Sequence, residues 1–197
     1  IVGAVYSPVL ATLSLENIEF FKSGVGTPHI INGQFQDLFA VFGGAGSTLS
    51  LIIAMLLFCR SKRITELGKL SLIPGIFGIN DPIIFGLPMV LNPVMVVPFI
   101  LTPLFNIVVS YTSMAMKLVP ITNGVTIPWT TPPVISGFLA TDWRGAVLQI
   151  VLITAGIFIY MPFIKVMDKQ YLADEAKAVD VTTNDEIDLD NLSFDDL

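Results

Sequence analysis

The sequence predicts an all-α integral membrane protein in which transmembrane helices alternate with re-entrant or broken helical hairpins. Three observations carry this. Hydrophobic residues make up 53% of the 197 residues and charged residues only 13%, whereas soluble domains carry about 25% charged residues. Mean hydropathy is +0.78. Prolines and glycines also recur inside the apolar blocks, at a density that straight helices do not accommodate.

The first apolar block, Ile1 to Leu15, is too short to span and is interrupted by Pro8. It reads as the remainder of a span or of a re-entrant hairpin. Since the chain runs from Ile1 straight into this block, its N-terminus reads as cut, within a fragment of a larger transporter. The polar connection "ENIEFFKSGVGTPHIINGQFQD" follows. Leu38 to Cys59 carries no charge and ends at "RSKR", as a membrane helix would. The small residues Gly43 to Ser47 let another helix backbone approach it closely. Arg60, Lys62, Arg63 and Lys69 mark the next loop as cytoplasmic by the positive-inside rule.

Between Lys69 and Lys117 the only charged residue is Asp81, and prolines stand at 74, 82, 88, 93, 98 and 103. This pattern predicts a broken or re-entrant element around Pro74 to Pro93, followed by a span from about Val94 to Met116. Non-helical backbone at membrane depth is tolerated where it is buried in protein or lines a wet cavity, so a cavity is expected beside Asp81. Residues 118–145, with prolines at 120, 128, 132 and 133, read as a second irregular segment ending in a polar turn, Asp142 to Gly145. Ala146 to Ile164 reads as a plain span, and Lys165 and Lys169 place the C-terminus in the cytoplasm.

Two domains are expected. Residues 1–164 form a near-neutral membrane part, and residues 165–197 form an acidic, disordered cytoplasmic tail with ten acids and three lysines. The single Cys59 excludes an internal disulfide or a cysteine metal cluster; no metal, no cofactor and no nucleic-acid partner is expected.

An acid inside a membrane segment costs about 2.5–3.5 kcal/mol on insertion scales, which makes Asp81 a functional candidate. It also suits a structural role, capping a half-helix that begins near Pro82. The two roles are compatible, because a cap at a helix break projects into whatever cavity the break lines.

"GINDPIIFGLPMVLNPVMVVPFILTP" resembles the signature of the membrane subunit (enzyme IIC) of the bacterial phosphotransferase system, in its lactose/cellobiose branch. "TIPWTTPPVISGFLATDWRGAVLQ" and "FQDLFAVFGGAGSTLSL" resemble two further stretches of the same branch, and together the three cover most of residues 35 to 165. The resemblance implies the C-terminal, sugar-binding half of the transport domain. It also implies a sugar-specific permease in the bacterial cell membrane, multi-pass, with phosphorylated enzyme IIB, a disaccharide and the bilayer as partners. The activity implied is that of a protein-phosphohistidine–sugar phosphotransferase, with dimerisation through an N-terminal half not contained in this chain. The disaccharide would be of the cellobiose, chitobiose or lactose type.

Asp81 stands where the family has glutamate, and the family's catalytic histidine precedes the position of Ile1. An aspartate sets the carboxylate back by about the length of one carbon–carbon bond; misplacement on the order of 1 Å can cost about a hundredfold in rate. The resemblance places a sugar-contacting tryptophan at Trp129, which composition alone would equally read as an interfacial belt residue. Asn80 and Thr27 are implied as hydroxyl partners. His29 is either a polar residue near the sugar or an ordinary interfacial histidine. Cys59, at the end of an apolar helix without an anion-cradling loop, is read as inert. Two other readings stand beside the permease: an ion-coupled secondary sugar transporter, and an inactive truncated fragment.

Overall fold

The computed structural model describes the backbone of residues 2–87, 89 and 92–190, and the side chains of residues 5–87, 89 and 92–177. Ile1, Pro88, Val90, Leu91 and residues 191–197 lie outside the described residues. What is described is helical, with no strand.

Helix α1 spans Val2–Lys22 and carries Pro8 within it. It therefore runs past Leu15, through residues expected to be a polar connection. The polar residues on this stretch are tertiary anchors. Buried Asn17 donates to the His29 carbonyl (2.8 Å) and the Thr122 carbonyl (3.3 Å) and accepts from the His29 N–H (3.0 Å), which fixes the 27–32 loop and the 119–127 segment against α1.

A short helix α2 (Gly33–Phe35), begun by the Asn32 side chain accepting from the Phe35 N–H, leads into a π-helical turn, Gln36–Ala40. The expected single helix from Leu38 to Cys59 is absent. Gly43, Gly44, Gly46 and Ser47 all adopt positive φ, so the chain leaves the helix at Val41 and resumes only at α3, Thr48–Phe58. The freed backbone groups find partners from distant helices, as burial requires. Asn106 donates to the Ala40 carbonyl (3.3 Å) and to Ser47 Oγ (2.9 Å), Ser47 Oγ donates to the Ala40 carbonyl (3.1 Å), and Tyr160 Oη donates to the Gly46 carbonyl (2.6 Å). Glycine in "GGAGS" thus serves a buried loop rather than close packing of one straight helix.

Helix α4 (Lys62–Ile76) begins at Ser61, whose hydroxyl accepts from the Ile64 N–H, and contains Pro74 in its last turn. It stops in a Schellman motif: Gly78 takes φ +80°, its N–H bonds the Gly75 carbonyl (3.1 Å), and the Ile79 N–H bonds the Pro74 carbonyl (3.0 Å). Helix α5 (Asp81–Gly86) follows at once, with Asn80, not Asp81, at the cap position. This is the expected break. Asn92 then caps α6 (Pro93–Ala115), which holds Pro98 and Pro103 yet continues through 23 residues.

A short α7 (Ile135–Ala140) follows an extended segment, and α8 begins at Trp143, inside the expected polar turn. Buried Gln149 on α8 gathers these pieces. Its Oε1 accepts from the Val134 N–H (2.6 Å) and the Gly137 N–H (3.0 Å), and its Nε2 donates to the Leu38 carbonyl (2.6 Å). Two apolar clusters fill the interior. One joins α3, α4, α5, α6 and α8 around Leu51, Met55, Ile83, Met95 and Ile164; the other packs Phe35, Phe39, Met114 and Leu152 below the π-helical turn. Both α6 and the Trp143–Lys177 part of α8 are long and apolar enough to cross a membrane, and most of each is not buried within the chain.

From Lys165 onward α8 continues as helix to Asp190, and its first acids bind the turn between α3 and α4. Asp168, 6% exposed, accepts from the Arg60 N–H (3.0 and 3.1 Å) and the Ser61 N–H (2.9 Å), and Glu175 accepts from the Ser61 hydroxyl (2.6 Å). The turn between α3 and α4 is clamped to α8 by charge-assisted bonds, those to buried Asp168 worth about 1.5–3 kcal/mol each. Asp168→Ala is expected to destabilise the folded protein by about 2–4 kcal/mol, read as a lower unfolding midpoint in detergent. An unchanged midpoint would mean that the corner is held by packing alone.

Candidate functional site

The site forms where three chain breaks meet. The π-helical turn ends at Val41, the glycine loop crosses residues 43–47, and the α4–α5 break runs from Phe77 to Asn80. Each break exposes backbone and small side chains, and between them lies a cavity of about 520 Å³ lined by Asp37, Gly44, Ala45, Asn80, Asp81 and Trp129, among others.

Asn80 is fixed by its backbone and its amide together. Its carbonyl accepts from the N–H groups of Ile83 (3.1 Å) and Ile84 (3.0 Å), starting α5, while its Nδ2 donates to the Ala45 carbonyl (3.0 Å). No described residue engages Oδ1, which stays available as an acceptor. Gly44 makes this contact possible: a Cβ there would lie 2.6–2.8 Å from three atoms of the Asn80 side chain, and its φ of +93° disfavours any other residue.

Asp81 occupies the first turn of α5 with Pro82 beside it, and its carboxylate is exposed to the cavity without a hydrogen bond or ion pair to any described residue. An ionised carboxylate only accepts, so two such groups facing one cavity suit a ligand rich in hydroxyl donors. The second is Asp37, in the π-helical turn and half-buried.

Trp129 sits in a turn closed by the Thr131 N–H on the Pro128 carbonyl (2.9 Å). Its ring packs on Gly78, where a Cβ would come within 3.2 Å of a ring carbon, and the residue as a whole is 59% exposed. The Schellman glycine that ends α4 therefore also seats the tryptophan. Trp143, 62% exposed and beside Arg144, lies on a different surface.

Of the residues singled out from the sequence, Asn80, Asp81 and Trp129 meet in the cavity. Thr27 and His29 are not among its lining. His29 is instead tied to α1, its Nε2 2.6 Å from Glu16 Oε2 and its backbone held on both sides by Asn17. Asp37 was passed over because it ends the polar connection, one residue before the uncharged block. The signal was in view, since it is the acid of "FQDLFAVFGG". Asn106 and Tyr160, which hold the glycine loop from α6 and α8, carry no motif and are recognised only by their contacts.

Comparison with known proteins places this geometry. The family model described as "Phosphotransferase system, EIIC" matches residues 1–103. The chain is 42% identical over 177 residues to the oligo-beta-mannoside-specific EIIC component of Bacillus subtilis, covering 89% of this chain and 40% of that protein. It is 46% identical over 179 residues to the cellobiose-specific EIIC component of Geobacillus stearothermophilus, with the same two coverages, 89% and 40%. Its structure superposes on the crystal structure of ChbC, the IIC component of the N,N'-diacetylchitobiose-specific phosphotransferase system, with a TM-score of 0.86 at 42% identity, over 89% of this chain and 41% of that one. The chain thus spans about 40% of the length of the curated relatives named here. With the family model matched over more than half of its residues, the chain belongs to the EIIC family of the phosphotransferase system.

Proposed function

We propose that this chain supplies the sugar-binding part of a phosphoenolpyruvate-dependent permease that takes up a disaccharide and phosphorylates it. The observation that carries the proposal is the convergence of Asn80, Asp81, Asp37 and Trp129 on one cavity at a helix break. Sugars present hydroxyl donors around their edges and C–H groups on their faces. The two carboxylates and the Asn80 Oδ1 accept the former, and the open face of Trp129 covers the latter. The class of sugar follows from the relatives, whose names specify cellobiose, oligo-β-mannoside, lactose and diacetylchitobiose.

In the transfer step, a sugar hydroxyl oxygen attacks the phosphorus carried by the phosphocysteine of enzyme IIB. The O–P bond forms as the S–P bond breaks, and the hydroxyl proton passes to a carboxylate within reach. Asp81 is assigned that role because its carboxylate is free of other partners. Residues 1–164 form the transport part, and the remaining chain is cytoplasmic. Support for this orientation is that Lys165 lies 5.2 Å from the Phe58 ring and the Arg60 N–H bonds Asp168, so both basic clusters share one end of the molecule.

The test uses the full-length permease in vesicles with the soluble phosphotransferase proteins. Phosphorylation of cellobiose, chitobiose or lactose that requires phosphoenolpyruvate is the expected result. Uptake of unmodified sugar driven by an ion gradient would replace the proposal with a secondary transporter. Gly44→Ala is expected to weaken sugar affinity about tenfold or more, since it displaces Asn80 from Ala45; an effect of that size corresponds to about 1.4 kcal/mol. Gly24→Ala serves as control, with φ of +73° but nothing within 4 Å of the added methyl. Equal losses in both variants would trace the effect to backbone strain alone.

A further inference from the structure

A second polar cavity, also about 520 Å³, opens at the other end of α3, away from the sugar-site residues. Arg60, Lys165 and Lys169 line it, and so does Asp168, while Leu57 and Phe58 form its apolar floor. All three cations are exposed, and none makes an ion pair with a described residue. Asp168 offsets only one of the three charges, and both its oxygens are held by backbone N–H bonds from Arg60 and Ser61 and not by the cations. The cavity is thus a positively charged notch between the α3 terminus and α8, directly above lipid-facing surface: Leu57 is 65% exposed at its base. The Lys165 ammonium rests 5.2 Å from the Phe58 ring centroid, which fixes its height relative to the apolar helix.

We propose that this notch binds the headgroup of an anionic phospholipid, with the cations on the phosphate and an acyl chain along Leu57. Basic pockets between membrane helices near the cytoplasmic surface suit such headgroups. Apolar side chains beneath the charges distinguish this place from a site for a free anion, which needs no floor. The orientation is that of the proposed permease, but lipid binding to purified protein is read independently of orientation and of sugar phosphorylation.

The experiment is native mass spectrometry of the full-length permease in detergent, titrated with phosphatidylglycerol and, separately, with phosphatidylcholine and inorganic phosphate. Bound phosphatidylglycerol is expected to exceed phosphatidylcholine, and to fall at least fivefold in the Lys165→Gln/Lys169→Gln double variant. Lys165→Arg/Lys169→Arg is expected to retain it, which separates charge from misfolding. Equal binding of the two lipids overturns the proposal, as does full retention in the glutamine variant. Displacement of phosphatidylglycerol by millimolar phosphate would make this an anion site. If the glutamine variant kept its lipid but no longer accepted phosphate from enzyme IIB, the notch would be a protein-docking surface.

Discussion

Asp81→Asn is expected to lower sugar phosphorylation by the full-length permease about a hundredfold or more, the range over which a positioned general base acts. The substitution keeps the shape of the side chain and the start of α5, since the cap position belongs to Asn80. It removes only the proton-accepting charge. Folding and sugar binding are therefore expected to survive better than turnover, with the loss falling on kcat. Asp81→Glu is expected to preserve or raise activity, because it restores the longer acid found in the resembling family. The check is phosphoenolpyruvate-dependent formation of sugar phosphate in vesicles for all three proteins. Wild-type rates in the asparagine variant would remove Asp81 from the chemistry and shift the role to Asp37.

Trp129→Ala is expected to raise the sugar KM about tenfold with less effect on kcat, whereas Trp129→Phe retains most of the affinity. Covering the exposed face of the indole with a sugar ring withdraws apolar surface worth about 1.5 kcal/mol at ordinary transfer coefficients. Because the ring also rests on Gly78, truncation leaves the end of α4 uncovered, so part of the loss comes through the Schellman turn. Phenylalanine keeps an aromatic face at the same place. A KM unchanged in the alanine variant would return Trp129 to the role of an interfacial residue.

The helix break around Asp81 was legible in the sequence because its cause is local. Pro74 and Pro82 each restrict a backbone position, Gly78 permits the positive φ that ends α4, and an isolated acid marks the result. The break at Gly43 to Ser47 was not, although it also rests on glycines. An uncharged block ending in "RSKR" satisfies every criterion for one straight helix, and the residues that stabilise the alternative, Asn106 and Tyr160, lie 59 to 114 positions from the groups they bind. Composition misled near the N-terminus. Glu16, Asn17 and Glu19 read as a loop because polar residues read as solvated, yet all three lie on α1. In the structure Asn17, Asp168 and Glu175 hold backbone groups of other segments. Thr27 and His29 do not line the cavity, and Asn17 ties the His29 backbone to α1.

The central claim is that a disaccharide occupies the cavity between the glycine loop and the α4–α5 break. Its most direct test is photo-crosslinking of a diazirine-bearing disaccharide to the full-length permease in membranes, with unlabelled sugar as competitor and peptide mapping of the adduct. Competed label is expected on the peptides carrying Asp37 to Ala45, Ile79 to Asp81 and Trp129. Competed label confined to the His29 loop or to other parts of the permease, with these three peptides unmodified, would contradict the assignment.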